Sequence, residues 1–227
     1  MPVERESKVP DDPVDAFVQR AMNGSKGGAK ILADALKADV ALLPRVVPLL
    51  NHDKPNVKAG AAEALQEIAP AHSADLAPHA AVFVAGIASS QGDSRAMEAI
   101  LRAFNDIVPL APASLDGDGV RVLEAVLSKR PKPELAEAVY MVLGRWGGTS
   151  PERSAAILPL LSKGLSGKPR EPVAKALLLA AADLARGPGA ADARKAVRDA
   201  VAPLRGHPSP LVRERAAKLV VELDRAV

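Results

Sequence analysis

"NVKAGAAEALQEI" (residues 56–68) returns, in pattern, as "LVRERAAKLVVEL" (residues 211–223). In both stretches a base follows a valine, and apolar residues stand four, eight and eleven positions after that valine, the spacing of one helical face. From Val57 these are Ala61, Leu65 and Ile68. The same offsets give Ile100, Phe104 and Ile107 from Ala96, and Val139, Leu143 and Trp146 from Leu135. They give Leu177, Ala181 and Leu184 from Val173, and Ala216, Val220 and Leu223 from Val212. The anchors lie 39, 39, 38 and 39 residues apart and every position is apolar, so one unit is written five times.

A second apolar face precedes each anchor. Eight residues upstream stand Leu49, Ala88, Leu127, Leu165 and Leu204, and fifteen upstream stand Leu42, Ala81, Val120, Leu158 and Val197. Short turns rich in proline, glycine or aspartate separate the two faces: "NHDKP", "SQGDS", "KRPKP", "SGKPREP" and "GHPSP". Each unit is therefore a helical hairpin. First helices are expected near 39–50, 75–88, 114–128, 153–165 and 191–205, and second helices near 55–69, 94–108, 132–147, 171–186 and 210–225. Pro44, Pro48, Pro78, Pro159 and Pro203 fall in first helices, where an interior proline bends the axis.

The two-helix unit of about 39 residues, Asp53 in the turn, and the pairs Val57–Lys58 and Val212–Arg213 opening second helices resemble HEAT repeats. The resemblance covers roughly residues 39–225. It departs at Met97, Ala136 and Ala174, which stand where the family places a base. It implies an all-α fold: a right-handed α-solenoid of about five HEAT-like helical hairpins with an N-terminal helical cap. The expected organisation is a disordered tail over 1–11, capping helices over 12–38 and five repeats over 39–227, the cap and repeats forming one domain.

Composition narrows the function. There is no cysteine, so disulfides, zinc–thiolate sites and cysteine nucleophiles are absent. Aromatic residues are 2%, too few for a stacking surface or an aromatic-lined pocket. The N-terminal "MPVERESKVPDDP" has no apolar core for a secretory signal, and no stretch is long and apolar enough to span a membrane, which points to the cytoplasm. The chain holds 30 bases and 27 acids, but residues 1–120 hold 11 and 16 of them, leaving 19 and 11 for residues 121–227. An acidic half and a basic half follow.

In HEAT-like stacks the second helices line the concave surface. On each, the offsets +2, +6 and +10 point away from the core stripe. The +2 residues are Ala59, Glu98, Glu137, Lys175 and Glu214. The +6 residues are Glu63, Arg102, Met141, Leu179 and Lys218, and the +10 residues are Glu67, Asp106, Arg145, Asp183 and Glu222. Eight acids against four bases make a poor match for a phosphate backbone, which argues against nucleic acid on this face. Met141 and Leu179 share one offset in adjacent repeats, beside Tyr140 and Leu178 at +5. They form either an apolar docking strip or, at +5, a contact with a neighbouring helix. Candidate partner-binding residues are Glu98, Arg102, Glu137, Tyr140, Met141, Arg145, Lys175 and Leu179. A second candidate surface is an anion-binding edge of turn residues: Lys129, Arg130, Lys132, Lys163, Lys168 and Arg170, with Arg205 continuing the line.

Catalytic motifs are absent. None of His52, His72, His79 or His207 is followed by glutamate, so the paired His–Glu dipeptides of HEAT-like di-iron hydroxylases are missing, and no metal or cofactor is expected. "GSKGGAK" (24–30) lacks the order of a phosphate loop, and "DGDG" (116–119) lacks later ligands of a calcium loop and reads as a helix start with Asp118 as its cap. The sequence points to a non-catalytic scaffold or adaptor that binds a protein partner. The alternatives are polyanion binding through the basic edge, and a HEAT-like enzyme or lyase with a ligand in the concavity. Charges on the outer side of the last helix (Arg215, Lys218 and Glu222) favour a capped monomer.

Overall fold

Proline stands in the first turn of many of the helices described. The computed structural model describes residues 12–25, 27–188 and 190–225, and the tail expected over 1–11 lies outside the described residues. The α-helices are α1 (Pro13–Met22), α2 (Gly28–Ala38), α3 (Leu43–Val46), α4 (Pro55–Leu76), α5 (Ala80–Ser89) and α6 (Ser94–Ile107). They continue with α7 (Asp118–Ser128), α8 (Pro133–Gly147), α9 (Pro151–Ser166), α10 (Glu171–Arg186), α11 (Ala190–Val201) and α12 (Pro210–Arg225). No strand occurs among the described residues, and the fold is an all-α solenoid of helical hairpins. Pro13, Pro55, Pro133, Pro151, Pro172 and Pro210 all sit in first helical turns, where no amide donor is required.

The second helices fall where the spacing places them, and 19 of the 20 core-stripe positions are buried. Val173 is the exception: it is half-buried, and Ala174 beside it takes the core position. The first helices differ more. The one expected over 39–50 is instead a 3-10 turn (Val40–Leu42), the short α3 and a second 3-10 turn (Val47–Asn51). Pro48, Pro78 and Pro203 sit in 3-10 turns, Pro44 stands in the first turn of α3, and Pro159 lies in the interior of α9. A residue without an amide hydrogen cannot make the bond to the carbonyl four back, and the tighter turn accommodates it. The buried face also departs by one residue from the expected one at several places, in 3-10 turns and in α7 and α9 alike, while Leu165 and Leu204 are buried as expected. Leu49, Leu127 and Leu158 are only half-buried and Ala88 is exposed, while Leu50, Val126, Ile157 and Ile87 occupy the core. Helix α4 also runs past the expected end at 69, through Pro70 and a kink at His72 (φ −123°, ψ 26°).

The chain divides into two compact units, residues 1–103 and 104–227, the division falling inside α6. In the first, α1 and α2 pack on α4 through Phe17, which is 1% exposed and faces Gly28 and Gly60. Asp12 caps α1 by accepting from the amides of Val14 and Asp15, and Arg45 binds its carboxylate and that of Asp15. The Arg45 guanidinium holds the Asp12 carboxyl below the usual carboxylate range. Lys58, the base of the first Val–basic pair, donates to the carbonyl and hydroxyl oxygens of Ser89.

In the second unit the hairpins are α7–α8, α9–α10 and α11–α12. Helices α8 and α10 approach so closely that a Cβ on Gly144 would lie 2.4 Å from the Ala180 Cα. Trp146 is buried, and its indole N–H donates to the Pro112 carbonyl at 3.0 Å. Arg153 lies over the indole at 5.8 Å and makes a two-pronged bond to Asp116 (2.9 and 2.8 Å). In "DGDG", then, Asp116 is the residue with the tertiary partner. Asp118 is the first helical residue and not the cap, a position held by Gly117 at φ +71°.

The turns use two chemistries. Asp93 accepts from the amides of Arg95 and Ala96, the expected aspartate turn, but it does so in the second repeat. Asp53 makes no such bond. In the first and fifth repeats a histidine substitutes: His52 Nδ1 accepts from the Lys54 amide and His207 Nδ1 from the Ser209 amide. His207 Nε2 then donates to the Pro169 carbonyl at 2.8 Å, which joins the last two turns.

Candidate functional site

The second helices α8, α10 and α12 lie side by side in the second unit, and their outward residues make the candidate surface. Leu179 is 48% exposed, Met141 is half-buried, and Glu137 is half-buried beside it. Tyr140 is a correction. It is 8% exposed and its hydroxyl lies against Gly164 of α9, so it packs between helices and lies beneath the surface. That burial raises its pKa. Leu178 is 4% exposed. The +5 residues are therefore mostly helix-to-helix contacts, and the +6 residues carry the surface.

The charges are largely committed. Arg145 faces Asp183 at 3.8 Å and Arg186 binds Glu222 at 3.2 Å, each pair linking second helices of neighbouring repeats. Burial raises the Asp183 pKa above the usual carboxylate value, and the two arginines oppose that rise. Lys175 binds Glu171 at 2.6 Å along its own helix. In the first unit Glu98 and Arg102 pair at 2.9 Å on α6, and Glu63 and Glu67 are held by Arg95 and Lys37. Of the eight acids counted from sequence, Glu63, Glu67 and Glu222 are matched by bases from other offsets, and Glu98 and Asp183 by bases inside the count.

Between α10 and α12 lies a cleft of about 240 Å³, lined by Lys175, Leu178, Leu179, Ala182, Arg186, Arg215, Lys218, Leu219 and Glu222. Sequence reasoning named Lys175 and Leu179 but missed Arg186, Arg215 and Leu219 as site residues. One outward meridian was followed on each helix, whereas a groove between two helices is lined by their facing flanks. The signal was present in the adjacent offsets +3, +7 and +13.

The basic-edge residues Lys129, Arg130, Lys132, Lys163, Lys168 and Arg170 are all exposed. Among the described residues Arg130, Lys132, Lys163, Lys168 and Arg170 have no ion pair. The bond from His207 to Pro169 brings Lys168 and Arg170 next to the turn that carries Arg205. Arg130 and Lys168 hold matching places in successive turns, and both adopt left-handed backbone at φ +52°. Glycine avoids the Cβ clash there but loses more chain entropy on folding. Arg130→Gly and Lys168→Gly should each raise stability by about 0.5–1 kcal/mol in urea denaturation. A loss of stability would show that the basic side chains make compensating contacts.

"GSKGGAK" lines a separate cleft in the first unit: Gly24, Ser25, Gly27 and Gly28 border it together with the Glu63–Arg95 pair. Among the described residues no helix is long and apolar enough to cross a membrane.

Residues 42–72 match the HEAT repeat family model, a segment that ends at the kinked His72. No curated protein matches the sequence. Solved structures share the fold. An engineered protein from the Northeast Structural Genomics Consortium superposes with a TM-score of 0.69 at 21% identity, covering 95% of each chain. A second engineered protein from that consortium gives 0.68 at 22% identity over 95% of this chain and 92% of that one. A designed armadillo repeat protein gives 0.66 at 18% identity over 92% of each chain.

Proposed function

We propose that this chain is a non-catalytic cytoplasmic scaffold or adaptor, in which capping helices over 12–38 and repeats over 39–227 present a face of second helices to a partner protein. The observation that carries the reading is Leu179, a large aliphatic residue 48% exposed on a face otherwise charged, with Met141 half-buried at the same offset one repeat earlier. An apolar anchor ringed by charge is the pattern of a protein-docking site, and methionine adapts its shape to the incoming side chain. The repeat fold supports the reading, because stacked hairpins make extended binding surfaces.

The test compares pull-downs from lysate by the wild-type chain and by the Met141→Glu, Leu179→Glu double variant, with helicity checked by circular dichroism. Loss of a specific band from a folded variant supports docking on this face. With that partner in hand, Met141→Ala should weaken binding by about 2 kcal/mol. Identical bands would remove the site. The second reading, polyanion binding at the basic edge, is favoured by the unpaired cations there. It requires binding that falls steeply with salt and is lost on reversing Arg130, Lys168 and Arg170.

A further inference from the structure

The α10–α12 cleft has a chemistry that the charge count hides. Its floor is apolar: Leu178, Ala182 and Leu219 are buried, and Leu179 stands above them. Cations stand on both rims. Lys175 and Arg186 sit on α10, paired with Glu171 and with Glu222 of the α12 rim, while Arg215 and Lys218 on α12 have no ion pair among the described residues.

Volume argues about the occupant. About 240 Å³, opening into a neighbouring cleft of about 310 Å³, makes a groove along two helices and not the enclosed concavity in which small molecules are buried. The cleft suits one or two side chains of something larger. The neighbouring cleft shares Ala182, Arg186, Leu219 and Glu222 with it, so the groove continues toward the C-terminal ends of both helices. On α10 the lining residues from Lys175 to Arg186 form one stripe about 16 Å long, some three turns of helix. A polyphosphate gains nothing from an aliphatic floor, and no aromatic residue lines the groove to stack a base.

Resting on the docking reading above, we infer that this groove seats an acidic amphipathic helix of the partner protein, about three turns long. A large aliphatic or aromatic side chain of that helix lies against Leu179, Ala182 and Leu219. Carboxylates on its two flanks meet Lys175 on one side and Arg215 with Lys218 on the other. Burying the anchor supplies affinity, and the uncommitted cations set orientation and association rate.

The experiment selects from a displayed library of helical peptides about twelve residues long, using the full chain as bait. Affinities of the winners are then measured by fluorescence anisotropy. The variants are Arg215→Glu with Lys218→Glu, two exposed residues whose reversal breaks no ion pair, and Met141→Glu with Leu179→Glu. The expected winners carry acids on both sides of a leucine or phenylalanine. They should bind the Arg215, Lys218 variant at least tenfold more weakly and lose affinity as salt rises from ~50 to ~300 mM. Winners that are neutral or basic, or that ignore the Arg215, Lys218 reversal, overturn the inference. If such winners are still lost with Met141→Glu and Leu179→Glu, the docking reading survives alone. A selection yielding no peptide sensitive to the Met141, Leu179 change overturns both. Acidic winners without an apolar anchor, lost instead on reversing Lys168 and Arg170, overturn the inference in favour of the basic edge.

Discussion

Replacing Gly144 with valine should lower the unfolding free energy by about 3 kcal/mol or more and shift the urea midpoint in proportion. A Cβ at this position would lie 2.4 Å from the Ala180 Cα and 2.5 Å from its Cβ. Those atoms belong to helix α10 itself and have no rotamer to move to, so relief requires the helices to separate. Separation opens voids along the best-packed seam of the second unit, where Val139, Leu143 and Leu177 are 0% exposed. Gly144→Ala is the sharper probe. Alanine brings about 1 kcal/mol of helix propensity, so a net loss isolates the clash. Gly206→Ala, with nothing within 4 Å of the added atom, should change stability by less than about 0.5 kcal/mol. An undiminished midpoint for Gly144→Val would mean that α8 and α10 do not meet at this register.

Phe17→Ala should cost about 3–5 kcal/mol, the range for deleting a buried aromatic. Phe17 is the largest side chain joining α1 and α2 to α4, and its ring lies over Gly60, where an added Cβ would come within 2.9 Å of Cε2. The loss should be concentrated in residues 13–38, seen by hydrogen exchange as faster opening of α1 and α2 than of α4. Gly60→Ala supplies the check. Alone it should destabilise, because the ring has to give way. In the Phe17→Ala background it should stabilise, since the new methyl enters vacated space and brings helix propensity. Additive effects, or unchanged protection of α1, would show that Phe17 does not anchor the first helices.

What could be read from the amino acids divides along the two helices of each hairpin. Second helices were legible to within a residue or two for α6, α8, α10 and α12, because an uninterrupted helix steps about 100° per residue and the apolar stripe stays in phase. First helices kept phase only in part. Pro48 and Pro78 stand in 3-10 turns, and there Leu50 and Ile87 occupy the core where Leu49 and Ala88 were expected, whereas Leu165, Val197 and Leu204 are buried as the spacing requires. Offsets counted on one periodicity cannot follow such a one-residue departure. The candidate surface was legible in the same partial way. Leu179 stood out because a +6 position has no reason to be leucine on a charged face. Arg215, Lys218 and Glu222 read from sequence as the outer side of the last helix, whereas they line the cleft against α10, because a groove belongs to two helices at once. Tyr140 misled because a long side chain can reach across to Gly164 of the following helix, and nothing in its own helix records that glycine.

A chain assembled by copying one unit is freely shuffled only if every copy can follow every other. The contact of Gly144 with Ala180 limits that freedom at one junction. A third repeat carrying a larger residue at Gly144 would be followed by the fourth only at a loss of stability. The two positions lie 36 residues apart in different copies, so a change at one bears on the other. Exchanging either of these two repeats alone would carry that loss, so this junction is specific to the pair even though the structural unit is a single hairpin.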